Sequence, residues 1–250
     1  MADRCSAPSP SPRNRMPSSL LAEIRAQLAA QADPEFRATQ QSFSKEAIHP
    51  YGVRSPQVRK LAATVYRKVK NWPLADRNRF CNELWKSGTD EEGSLAIYLY
   101  RHFRKQCCSC EFHLFEKWID RYVTNWGHCD GVAHYLISAS IENEPELASL
   151  LPPWTASANR WKRRAAAVSL VHEARRGGHT ALILQIAERM LPDEDDLVRK
   201  GVGWLLKEAY AAKPRQVVRF LEARSDRAPR LVLRIAAEKM PPADRTLCLP

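Results

Sequence analysis

Ser55-Pro56-Gln57-Val58-Arg59-Lys60-Leu61-Ala62-Ala63-Thr64-Val65-Tyr66-Arg67-Lys68-Val69 decides the fold class. Val58, Leu61, Ala62, Val65, Tyr66 and Val69 recur at i, i+3, i+4, i+7, i+8 and i+11, the spacing of one buried face on an α-helix. Ser55-Pro56 supplies a cap-and-proline start. The same rhythm continues outward in both directions. Upstream, Leu20, Leu21, Ile24 and Leu28 predict a helix over Ser18 to Ala30. Asp33-Pro34 opens a second helix that makes a hairpin with the first, with Phe43 near its end before the turn His49-Pro50-Tyr51-Gly52. Downstream, helical patterns run roughly from Ala75 to Trp85, Asp90 to Arg104, Cys110 to Tyr122, Trp126 to Ile141, Glu144 to Leu151 and Asn159 to Arg176. Four more follow, over His179 to Met190, Asp196 to Ala212, Pro214 to Arg224 and Ala228 to Lys239. No segment sustains the period-2 alternation of a strand.

Helices of similar length joined by short turns predict an all-α chain, an α-solenoid of HEAT-like helical repeats with a basic concave face. An all-α orthogonal bundle is the alternative. The 250 residues suffice for one or two domains without staples. Residues 20–240 read as the repeat domain. Residues 1–19, with Pro8, Pro10, Pro12 and Pro17 among Ser and Arg, read as a disordered basic tail, and residues 241–250 as a C-terminal tail.

A net charge of +11, from 39 Lys+Arg against 28 Asp+Glu, predicts a polyanionic partner, nucleic acid before anionic membrane. No run of 18 apolar residues exists to span a bilayer, and the first residues lack the apolar stretch of a secretory signal, so the expected location is cytoplasmic. Seven cysteines, an odd count, are then expected as reduced thiols. Cys107-Cys108-Ser109-Cys110 has C-x-x-C spacing but no second ligand pair, so no metal is expected.

Asn125-Trp126-Gly127-His128-Cys129-Asp130 opens the stretch with the most chemistry in it. On a regular helix, at about 100° per residue, Cys129, Val132, Leu136 and Ala139 share one flank and Trp126, Asp130 and His134 another. One flank buries; the other presents an indole and a carboxylate at i, i+4, within reach of one ligand. Taken singly, such a Trp is usually core and such an Asp usually a cap. In Asp196 to Ala212 the apolar residues Val198, Val202, Leu205, Leu206 and Ala209 cluster, while Trp204 lies away from them with Lys200 and Lys207 beside it. Either Trp204 plugs a second layer or it offers an aromatic surface between two cations. Gly201 and Gly203 imply close approach by a helix or a ligand. Asn159-Arg160-Trp161-Lys162-Arg163-Arg164 puts cations in a first helical turn, against the dipole; it reads either as a solvated charge run or, in preference, as a phosphate site.

Four blocks, in this order, carry a resemblance: Tyr51-Gly52-Val53-Arg54-Ser55-Pro56, Asn125 to Asp130, Trp154 to Arg164, and Arg199-Lys200-Gly201-Val202-Gly203-Trp204-Leu205-Leu206-Lys207-Glu208. From about Asp33 to Lys239 the chain resembles the HEAT-like-repeat DNA alkylation repair glycosylases, the AlkD family. The resemblance implies a monofunctional DNA glycosylase, without metal or cofactor, that excises cationic alkylpurines such as 3-methyladenine and 7-methylguanine from double-stranded DNA. It implies a monomer that leaves an abasic site. Asp130 matches the family's catalytic Asp, Trp126 and Trp204 its two sugar-contacting indoles, and Arg164 its phosphate-contacting Arg. Trp161, Arg163, Lys200 and Lys207 join them as expected DNA-binding residues. Phe43 stands where the family has a Tyr near the DNA, and Gly127-His128-Cys129 replaces bulkier spacing; both are departures. His128 and His134 read as structural histidines. The alternatives are a non-catalytic HEAT-like module that binds DNA or branched nucleic acid through charge, and a protein-binding scaffold.

Overall fold

Asp33 shows how this sequence starts its helices. Its carboxylate accepts hydrogen bonds from the backbone N–H groups of Glu35 and Phe36, 3.0 Å each, where α1 (Ser18–Ala30) gives way to α2 (Pro34–Phe43). The computed structural model describes residues 18–43 and 47–249. Among these the chain is all-helical and contains no strand. Residues 1–17 of the expected N-terminal tail lie outside the described residues. The chain divides into two compact units at Phe103/Arg104.

The first unit continues with α3 (Ser55–Val69), α4 (Leu74–Lys86) and α5 (Asp90–Arg101). Val58, Leu61, Ala62, Val65 and Val69 of the α3 stripe are buried, and α3 and α4 both pack on α5. The loop before α3 is fixed by a buried carboxylate. Glu91 accepts from the backbone N–H groups of Tyr51 (2.8 Å), Gly52 (2.9 Å) and Val53 (2.8 Å). Next to it Glu92 accepts from Arg25 Nε (3.1 Å) and the Tyr51 hydroxyl (3.0 Å). Burial, with the Glu92 charge, pushes the Tyr51 hydroxyl up to about 12. Gly52 has φ +93°, and a Cβ there would sit 2.4 Å from the Asp33 carbonyl oxygen, so only glycine fits.

The second unit runs through α6 (Ser109–Arg121), α7 (Trp126–Asp130), a π-helical stretch Gly131–Ile137 and α8 (Ser138–Asn143). Two 3₁₀ turns follow, Pro145–Leu150 and Pro152–Ala156, where the prolines withhold the N–H groups that an α-helix needs. Then come α9 (Arg160–Val168), α10 (Val171–Arg176), α11 (Thr180–Met190), α12 (Asp196–Ala212), α13 (Pro214–Glu222), α14 (Arg230–Ala236) and α15 (Pro242–Cys248). α12 is the central element and packs against α9, α10, α11, α13 and α14. Contacts between elements near in sequence, as in a stack of repeats, dominate both units.

Three expectations need correcting. The helix expected over Asn159 to Arg176 is two helices, broken by a turn at Ser169 and Leu170. The expected C-terminal tail contains α15, in which Pro242 starts a helix instead of ending one and Cys248 is fully buried. The regular helix expected from Trp126 to Ile141 changes register within Gly131–Ile137, where the Ser138 N–H donates to the Ala133 carbonyl five residues back.

Candidate active site

The site is built on the register change. Asn125 caps α7, its side chain accepting from the His128 N–H at 2.8 Å, and Trp126 follows as the first helical residue, 47% exposed. Cys129, Val132, Leu136 and Ala139 are buried, as the expected apolar flank requires. Cys129 donates to the Trp161 carbonyl oxygen at 3.3 Å and so seams α7 to α9; burial pushes its thiol pKa up.

One residue on, Asp130 meets Arg164 of α9. The guanidinium donates two parallel hydrogen bonds, Nε to Oδ1 at 2.7 Å and Nη2 to Oδ2 at 2.8 Å. Its remaining arm donates to the Leu197 carbonyl in the first turn of α12. The Arg164 side chain is 8% exposed and that of Asp130 19%. For Arg164, burial would lower the pKa, but the hydrogen bonds and charge of Asp130 outweigh it, and the net shift is upward. Two of the roughly four lone-pair sites on the carboxylate face inward to Arg164, which leaves acceptor capacity at its solvent edge. The pair is thus a fixed dipole with its negative end outward.

Trp204 belongs to α12, seven residues beyond Leu197. At about 100° per residue the two lie within about 20° of one another around the helix. The Trp204 ring, partly exposed, rests on His134 of the π-helical stretch, centroids 5.1 Å apart at 45°. The Asp130 helix with the π-helical stretch after it is therefore joined to α12 twice, through Arg164 and through His134. His134 in turn stacks on His172 of α10, centroids 4.1 Å apart and 10° from parallel.

The glycines beside Trp204 answer to protein, not to ligand. A Cβ on Gly203 would lie 2.7 Å from Ile235 Cβ on α14, and one on Gly201 would meet Arg164 Cγ at 3.4 Å. Lys200 is exposed, while the Lys207 ammonium is held by Glu238 at 2.8 Å.

The cation-rich start of α9 needs no phosphate. Arg160 pairs with Asp195 (2.7 Å), Lys162 with Glu116 (2.9 Å) and Asp120 (2.8 Å), and Arg163 with Asp193 (2.6 Å). The anions that complement this turn are carboxylates of the protein, two from the acidic run before α12 and two from α6. Arg164, expected against phosphate, faces Asp130 and the protein interior. Trp161, expected at the nucleic-acid surface, is 7% exposed because the α7–α9 seam closes over it. Phe43 is the last residue of α2 in the first unit, and its side chain lies outside what is described. His172 was missed by sequence reasoning, and only its contact with His134 across the fold reveals it. Among the described residues no cluster of three His, Cys, Asp or Glu side chains could hold a metal ion.

A family model described as DNA alkylation repair enzyme matches residues 24–240. A comparison with curated proteins finds no match. Among solved structures, one described as a predicted DNA alkylation repair enzyme from Enterococcus faecalis aligns with a TM-score of 0.77 at 16% sequence identity. The alignment covers 85% of this chain and 98% of that one. At that identity the likeness speaks for the fold, an α-solenoid of HEAT-like repeats.

Proposed function

Because the chain belongs to the DNA alkylation repair enzyme family, we propose that it is a monofunctional DNA glycosylase, with Asp130 as its catalytic carboxylate. Its substrates are cationic alkylated purines, such as 3-methyladenine and 7-methylguanine, in double-stranded DNA, and its product is an abasic site. The observation that carries the reading is the polarity of the Asp130–Arg164 pair: the guanidinium is buried, the carboxylate edge reaches solvent, and the half-exposed Trp126 indole stands one turn away.

The chemistry follows from charge. An N-alkylated purine already carries a positive charge and leaves with the bonding electrons of the glycosidic bond, so no strong general acid is required. The sugar left behind develops oxocarbenium character. A carboxylate fixed in place by two hydrogen bonds stabilises that charge without reorganising and orients the attacking water. The indole faces of Trp126 and Trp204 attract the same cation. Arg164 acts through Asp130, holding its rotamer. Lys200 and the excess of positive charge, +11 overall, draw in the phosphate backbone. The reaction as proposed runs on side chains and water.

The test is release of free base from duplex DNA that contains 7-methylguanine. Wild type should release base and Asp130→Asn should lose about 10²- to 10³-fold in rate, the usual scale for removing one preorganised electrostatic contact. A wild type that binds the duplex with steep salt dependence but releases no more base than Asp130→Asn would instead be a non-catalytic DNA-binding module.

A further inference from the structure

Trp204 rests on His134, and His134 is backed by His172. His134 comes from the π-helical stretch that follows Asp130, His172 from α10 and Trp204 from α12; the rings form one pile, His172 on His134 at 4.1 Å and His134 on Trp204 at 5.1 Å. A π turn puts residues where a regular helix would not, and such turns occur frequently at functional sites.

We propose that His134, backed by His172, is a positioning residue for Trp204 and keeps the cation-facing side of the site free of positive charge. The inference rests on the glycosylase reading. A neutral imidazole fixes the indole through a tilted ring contact and leaves the exposed part of the indole for the substrate. A protonated His134 would itself be a cation on Trp204, would use the attraction meant for the developing sugar cation, and would repel the alkylated base.

The surroundings of His172 favour its neutral form. Around His172 stand Arg175 and Arg176 on its own helix, Arg104 before α6, and Glu142 of α8, which is already paired with Arg104 (2.7 Å) and Arg176 (2.8 Å). Burial first, then Arg176 and Arg104, hold His172 below the usual histidine range. Around His134 stand the Tyr135 ring at 5.1 Å and Asp130 one turn earlier, the latter engaged by Arg164 of α9. On the α12 side are Lys200 and Lys207. On α6, Glu111 is taken up by the Cys108 N–H at 3.1 Å. Two imidazolium rings at stacking distance repel, so a proton on one ring disfavours a proton on the other.

The test measures kcat and KM for base release from 7-methylguanine duplex between about pH 5 and 8, with the enzyme-free rate subtracted. The expected wild-type profile falls on the acid side. His134→Ala should lower kcat about tenfold with little change in KM, the mark of a misplaced contact. His134→Phe, which stacks but takes no proton, should recover most of that loss and no longer fall at low pH. An acid limb that persists unchanged in His134→Phe, or a His134→Ala enzyme with wild-type kcat, overturns the proposal. In parallel, the Trp204 indole N–H resonance of the full chain, identified with Trp204→Phe, should shift with the same midpoint as the His134 ring signals. A Trp204 signal indifferent to that titration also overturns it. If Trp204 follows the histidines while no base is released at any pH, the glycosylase reading fails and the positioning role stands.

Discussion

The two units each contain an arginine–carboxylate pair, and the pairs have opposite polarity. In the first unit Glu92 is the hidden partner, its side chain 0% exposed, while Arg25 is 46% exposed. In the second unit the hidden partner is Arg164, at 8%, and Asp130 shows 19% of its side chain. Glu92 and its neighbour Glu91 spend their oxygens on Arg25, the Tyr51 hydroxyl and three backbone N–H groups. Those carboxylates hold a loop and are buried away from any ligand. Asp130 is held from behind and open in front. Two acidic residues on helices thus do different work according to which end of the ion pair meets water.

The comparison is sharpened first by stability. Asp130→Ala strands a buried guanidinium that the Leu197 carbonyl alone cannot satisfy, and should cost about 3 kcal/mol in urea denaturation. Glu92→Gln keeps an acceptor for Tyr51 and lets the exposed Arg25 turn to water, so it should cost only about 1 kcal/mol. Equal losses would mean that the polarity of the pairs has no energetic meaning.

A smaller contrast lies within α12. Gly203→Ala drives a Cβ to 2.7 Å from Ile235 Cβ and should destabilise by about 2 kcal/mol through overpacking. Gly201→Ala makes ordinary contact with Arg164 at 3.4 Å and should be neutral, or stabilising by up to about 1 kcal/mol from helix propensity. Thermal melts of the two variants check the order.

The smallest effect is on pH dependence. His172 titrates below the usual histidine range when folded, so the unfolded chain binds the proton more readily. Its stability cost is therefore absent above the ordinary histidine pKa and grows as pH falls through it towards the folded value. His172→Phe should flatten that part of a stability–pH curve. An unchanged slope would remove His172 from the account.

Much of the fold was legible because its signals are local. Ser18 to Ala30 and Asp196 to Ala212 were read to the residue; in the latter, Asp195 accepts from the Leu197 N–H at 2.8 Å as the cap. The apolar flanks of α3, α7 and α12 followed from spacing alone. What resisted reading depends on partners distant in the chain. The arginines of Asn159 to Arg164 and the acids of Asp193 to Asp196 were both visible, yet only packing joins them. Glu91 and Glu92 lie in the first turn of α5, and only packing sets them against Arg25 and the loop before α3. The π register at Gly131–Ile137 leaves no trace in the apolar spacing, so the His134–His172 contact was beyond reach. The helix α15 inside the expected C-terminal tail starts at Pro242, and a proline marks a helix start or a stop equally well.

The polarity argument is tested most directly by the rate of 7-methylguanine release, per folded molecule, of two matched amide variants, Asp130→Asn and Glu91→Gln. Asp130→Asn should fall about 10²- to 10³-fold, whereas Glu91→Gln, however much less stable, should turn over as wild type. Equal rates for the two variants would contradict the assignment of the chemistry to the outward-facing carboxylate.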